Sequence, residues 1–152
     1  MGKYFNIDIE KGLFNDLFVK FLYDEIEMVD GIEDLLLYLS GKYKIFTASN
    51  GVYYMQVNRI KKSNLSKYFT DIFVSDKIGY EKPDKRFFQK IMDLTKYSND
   101  DLIMIGDSIK SDIIGAKNSK IKSIYFNKED KKISDKSFTY QVKNLSEIKK
   151  IL

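Results

Sequence analysis

Three short apolar runs, "YKIFTA" (43–48), "DIFVS" (71–75) and "LIMIG" (102–106), are each followed by a segment with helical periodicity, over about 52–64, 85–96 and 108–119. A fourth run, "IKSIYF" (121–126), leads into a Lys-rich loop (127–137), a further strand candidate "FTYQV" (138–142) and a final helical segment "LSEIKKIL" (145–152). Runs this short and this apolar are buried strands. Strand and helix alternating about every 25–30 residues leave essentially one solution, an α/β fold with a parallel sheet and crossover helices. Two helical segments precede the first strand. Residues 11–28 carry apolar side chains at helical spacing, and "IEDLLLYLS" (32–40) is ended by Gly41.

Composition excludes several chemistries. The 152 residues contain no histidine and no cysteine. Ser-His-Asp catalysis, a histidine general base, thiolate metal sites and disulfides are therefore out. Catalysis must run on carboxylates, hydroxyls, lysines and backbone dipoles. No run approaches the roughly 18 apolar residues of a membrane span, and the start "MGKYFNIDIEKG" has no signal-peptide core. We expect a cytoplasmic protein with no membrane partner. The net charge of +4 comes from lysines interleaved with acids. That is the pattern of a solvated surface, so no nucleic-acid partner is expected.

Ligands of open parallel sheets bind beyond the carboxyl ends of the strands. Three polar groups fall there. Ser49-Asn50-Gly51 follows the first strand and precedes a helix; it is either a cradle for a phosphoryl group or an ordinary helix cap. Lys82 precedes Pro83, the only proline, which suits the first turn of a helix. Lys82 is either a fixed ammonium for an anion or a surface lysine. Asp107 follows "LIMI" and a glycine turn at Gly106, and Asp112 lies one helical turn further on. These two acids are either ligands for a hard cation such as Mg²⁺ or a capping and a solvated aspartate.

Together, "IFTASNG", "GYEKPDKRFF" and "MIGDSIKSD" resemble the second, third and fourth motifs of the haloacid-dehalogenase-like hydrolase superfamily. The resemblance runs from Gly31 to the end of the chain, and within the cap-bearing subfamily it is closest to the branch of small-molecule 5′-nucleotidases. It implies a Rossmann-like three-layer α/β/α core over residues 31–152. The activity implied is a Mg²⁺-dependent phosphatase that acts through an aspartyl-phosphate. Its substrates would be small phosphorylated metabolites or nucleoside monophosphates. Ser49 would hydrogen-bond the phosphoryl oxygens, with Asn50 and Gly51 beside it. Lys82 would stabilise the nucleophile and the transferring phosphoryl. Asp107 would ligate Mg²⁺, and Asp112 would support the metal or orient Lys82.

The family's first motif, an apolar strand followed by Asp-x-Asp, has no clear counterpart. The nearest candidate, "YFNIDIEKGL", offers Asp8 and Glu10 without the aspartate pair. Residues 1–30 fit better as the remnant of a helical cap. The expectation is a chain that begins inside the cap, lacks the nucleophile strand and is inactive in isolation; a degenerate nucleophile at Asp8 is the alternative. A non-catalytic phosphate- and Mg²⁺-binding module, or one half of a two-chain enzyme, are the competing functions. The absent strand would lie between those ending at Ser49 and Asp107. Their open edges would be repaired by pairing with each other, by residues 3–7 or by another chain, which makes self-association an expected consequence.

Overall fold

The computed structural model describes residues 28–134 and 136–152. The expected helix over 11–28, the strand candidate 3–7 and Asp8 lie outside these residues. The chain enters helix α1 (Ile32–Ser40) through Gly31, whose φ of 80° is the left-handed region that glycine reaches without strain. Leu35, Leu36 and Leu39 form its buried face, and Gly41 ends it. The elements that follow are β1 (Phe46–Ser49), α2 (Tyr53–Lys62), β2 (Asp71–Val74), α3 (Ser75–Ile78), α4 (Lys85–Thr95) and β3 (Ile103–Gly106). A π-helical turn (Ile109–Ile113) then runs into α5 (Ile114–Asn118), followed by β4 (Lys122–Phe126), β5 (Tyr140–Val142) and α6 (Leu145–Ile148).

Every strand pairing is parallel, as the alternation requires. β1 pairs with β2 in the register Ser49↔Val74. β3 pairs with β4 in the register Gly106↔Tyr125, and β4 pairs with β5. Side chains alternate across the strands and build two cores. Phe46, Ala48, Phe73 and Met104 face Phe87, Phe88 and Ile91 of α4 and Ala116 of α5. Ile45, Ile103, Ile105, Ile124 and Val142 face Leu35 and Leu39 of α1 and Leu145 and Ile148 of α6. The first core takes residues from both β1–β2 and β3, so the two ladders share a layer, with helices above and below. This is the expected α/β/α arrangement.

The direct repair is not what the structure adopts. Among the described residues β1 and β3 do not pair; the strands form a two-stranded and a three-stranded ladder. Other details differ from the sequence reading. Pro83 lies outside helix α4, because Asp84 takes the cap position and accepts from the Arg86 N–H at 2.9 Å. Helix α6 stops after one turn rather than running to the C-terminus. The loop after β2 contains helix α3, closed by Gly79 at φ 85°.

Candidate functional site

The carboxyl ends of β1 and β3, together with the loop before α4, bring the sequence candidates to one edge of the sheet. At the centre is an ion pair. Lys82 is 8% exposed and Asp112 5% exposed. The Lys82 ammonium donates to Asp112 Oδ1 at 2.6 Å and to the carbonyl oxygen of Ala48 in β1. An ammonium has three donors, so two are spent on protein and the third has no partner among the described residues.

Asp112 is gripped from three sides. Besides Lys82, the Ser108 N–H donates to Oδ2 at 3.2 Å and the Ser111 hydroxyl to Oδ1 at 3.2 Å. Gly106 makes the grip possible. A Cβ there would overlap the Asp112 carboxylate, with the carboxyl carbon only 2.6 Å away. From the sequence alone Gly106 reads as a turn glycine. It is the last residue of β3, and what the site uses is its lack of a side chain. Gly115 does the same one layer away, where a Cβ would stand 2.5 Å from the Phe88 ring and 3.1 Å from Pro83 Cα. Close approach at Gly115 presses α5 against the segment that carries Lys82.

The bland alternatives for these residues are corrected by the geometry. Lys82 is not a surface lysine. Asp107 is not a helix cap: Ser108 occupies that position and its hydroxyl accepts from the Ser111 N–H at 3.2 Å. Asp112 is not a solvated acid. Neither Ser49 nor Asn50 caps α2; Val52 holds the cap position, and Asp76 accepts from the Tyr53 N–H at 2.8 Å.

The candidates nevertheless occupy different situations. Asp107 is exposed beyond β3, and among the described residues no group hydrogen-bonds its carboxylate. Ser49 is half-buried at the end of β1. Gly51 is already engaged, its N–H donating to the Ser75 hydroxyl at 2.9 Å. Asn50 is engaged as well, both ends of its amide being bonded to the main chain of Lys82. Ser75, Asp76, Ser108 and Ser111 went unnoticed in the sequence. Only Ser108, a hydroxyl directly before a helical segment, carried a local signal.

Among the described residues no three or more acidic side chains cluster as a metal cage. Magnesium does not require one. It keeps several waters and is held by one or two carboxylates plus substrate phosphate. Asp107, an exposed carboxylate with no hydrogen-bond partner among the described residues, fits that donor set. Asp112, committed to Lys82 and two further donors, is suited to a supporting place.

A parallel α/β/α core defines a fold class, and comparison with known proteins identifies the family within it. A family model for haloacid dehalogenase-like hydrolases matches residues 6–126. The chain belongs to this family. It is similar to the HAD-hydrolase YfnB of Bacillus subtilis, with 28% identity over 152 residues, covering 99% of this chain and 65% of that protein. It is also similar to the pyrimidine 5′-nucleotidase PynA of Streptococcus pneumoniae, with 34% identity over 109 residues, covering 70% of this chain and 46% of PynA. The chain thus spans between about half and two thirds of the length of such relatives. The crystal structure of magnesium-bound YfnB superposes with a TM-score of 0.86 at 29% identity, covering 97% of this chain and 65% of that one. An HAD phosphatase from Thermococcus onnurineus shares the fold, with a TM-score of 0.76 at 23% identity and coverage of 95% and 65%.

Proposed function

We propose that this chain carries the phosphate- and metal-binding side of a Mg²⁺-dependent phosphatase for small phosphate monoesters, nucleoside monophosphates among them. The observation that carries the reading is the buried Lys82–Asp112 pair, 2.6 Å apart, beside an exposed Asp107. Phosphoryl transfer needs little covalent chemistry from the protein and much positioning of charge. Lys82 offers its third N–H to a phosphoryl oxygen from a site already short of water, where such a charge acts strongly. Asp112 holds the ammonium in place, and its two further donors fix its own orientation. Ser49 offers a hydroxyl to the phosphoryl group. Asp107 would hold Mg²⁺, which when bound neutralises charge on the phosphate. The attacking carboxylate, which would form an aspartyl-phosphate later hydrolysed by water, is not one of these residues. Asp8 is the candidate within residues 1–152; otherwise an Asp-x-Asp segment outside them, in the same protein or in a partner chain, is the source.

The pyrimidine 5′-nucleotidase relatives support nucleoside monophosphates as the substrate class. Glyceraldehyde 3-phosphate phosphatases among the relatives support small phosphate monoesters more broadly. The test is release of phosphate from an aryl phosphate and a pyrimidine 5′-monophosphate, with Mg²⁺ and with a chelator. The chain is assayed alone, as Asp8→Asn, and mixed with a peptide bearing an Asp-x-Asp motif. Chelator-sensitive release in any arm, lost in Lys82→Met, supports the reading. Loss in Asp8→Asn assigns the nucleophile to Asp8. No release in any arm, with Mg²⁺ and phosphate still bound, leaves a non-catalytic binding module.

A further inference from the structure

We propose that Asn50 is a positioning residue that holds Lys82, not a ligand for the substrate. The proposal rests on the reading of Lys82 as the phosphate-facing cation. Asn50 Oδ1 accepts from the Lys82 N–H at 2.8 Å, and Asn50 Nδ2 donates to the Lys82 carbonyl oxygen at 2.9 Å. A carboxamide has the donor and acceptor of a peptide group, so Asn50 reads the main chain of Lys82 as a neighbouring strand would. Two bonds to one residue fix both its position and its tilt. The far end of the same side chain is fixed by Ala48 and Asp112. Lys82 is therefore pinned at root and tip, and both anchors on the β1 side are at adjacent or near-adjacent positions, Ala48 and Asn50.

Apart from Asn50, the loop around Lys82 is held by the close approach of Pro83 to Gly115 of α5 and by the Arg86 guanidinium lying over the Tyr80 ring. It runs from Gly79 to the cap at Asp84, and its own backbone bond is Asp84 N–H to Glu81 O at 2.9 Å. The neighbours of Asn50 behave alike. Gly51 N–H is taken by Ser75 and Tyr53 N–H by Asp76, both from α3. Donors that the sequence pattern offers to a phosphate are spent on tying the loop after β1 to the segment after β2. This leaves Ser49 alone of the three loop residues with no protein partner among the described residues for its side chain. The phosphate hydroxyl and the phosphate cation then move as one rigid unit.

The experiment compares wild type, Asn50→Ala and Asn50→Asp with no Mg²⁺, phosphate or substrate present, so its failure is independent of any failure of the phosphatase reading. Amide hydrogen exchange reports the Lys82 N–H, and acylation mapped by mass spectrometry reports the Lys82 ammonium against exposed Lys90. The proposal predicts a protected Lys82 N–H in wild type and in Asn50→Asp, which keeps the acceptor, and loss of protection in Asn50→Ala. Loss of two neutral hydrogen bonds should speed Lys82 acylation roughly ten- to thirtyfold relative to Lys90 in Asn50→Ala. An unprotected Lys82 N–H in wild type overturns the proposal even if Asn50→Ala does not fold. So does an unchanged acylation ratio in Asn50→Ala, because Lys82 is then held without Asn50.

Discussion

Replacing Lys82 by methionine should destabilise the fold far more than removal of a lysine ordinarily does. The side chains of Lys82 and Asp112 are 7% and 8% exposed, so the pair lies out of water. Methionine fills most of the same volume and removes only the charge. Asp112 then stays buried with two neutral donors, Ser108 N–H and the Ser111 hydroxyl. Breaking a buried pair from one side costs about 3–5 kcal/mol. That is a large share of the roughly 5–15 kcal/mol that holds a domain together, and it corresponds to about 10 °C in Tm for a chain of this size. Asp112→Asn should cost a similar amount, since it strands the ammonium. Lys82→Met with Asp112→Leu should cost little more than one single change, because both charges leave together and the neighbouring serines are near enough to solvent to find water. The coupling energy is then about 2–3 kcal/mol. Urea unfolding with a chelator and no phosphate measures all four proteins, with constant m-values as the check that only stability changed. Single changes costing less than about 1 kcal/mol, or additivity within about 0.5 kcal/mol, would refute the argument.

Further outcomes follow from the same geometry. Gly106→Ala puts a methyl group into the Asp112 carboxylate, and overpacking of this kind costs about 1–3 kcal/mol by urea unfolding, against a near-neutral change if the carboxylate can step aside. Asp84 gives a pH dependence. The Arg86 side chain, and then the Arg86 N–H, hold the Asp84 carboxyl below its ordinary value. A depressed folded pKa means that the unfolded chain binds more protons in the window between the two values. The contribution is therefore complete above the ordinary carboxylate range, about pH 4, and is lost as pH falls through the folded value. Urea midpoints should fall more steeply with acid in wild type than in Asp84→Asn; parallel curves would mean that the pair is not formed. Asp107→Asn should leave stability within about 0.5 kcal/mol, as an exposed and unbonded acid requires, and a larger loss would reveal a structural role.

What could be read from the sequence has a physical pattern. Apolar runs such as "LIMIG" and "IKSIYF" are local signals, and the strands lie within three residues of where the runs place them, β1 differing most. Helix α4 was legible through Phe87, Phe88 and Ile91 on one face. The helix expected over 108–119 forms in two parts, a π-helical turn and then α5. The turn carries Asp112, which must reach Lys82 and the Ser108 N–H at once. The C-terminal helix is short although its start is well signalled by the Asn144–Glu147 capping box. Side-chain bonds to distant backbone had no local trace. Asn50 and Lys82 are 32 residues apart, and Gly51 and Ser75 are 24 apart, so nothing in either stretch announces the other. The role of Gly106 was hidden for the same reason, because a glycine required by a neighbour looks like a glycine required by a turn.

The central claim is that these residues form the metal and phosphate side of a phosphatase site, with Asp107 as the Mg²⁺ ligand. Calorimetric titration of Mg²⁺ in the presence of inorganic phosphate tests it most directly, on wild type and Asp107→Asn at equal stability. The account predicts saturable one-site binding in wild type and its loss in Asp107→Asn. Equal Mg²⁺ binding by the two proteins, or none by wild type, would contradict it.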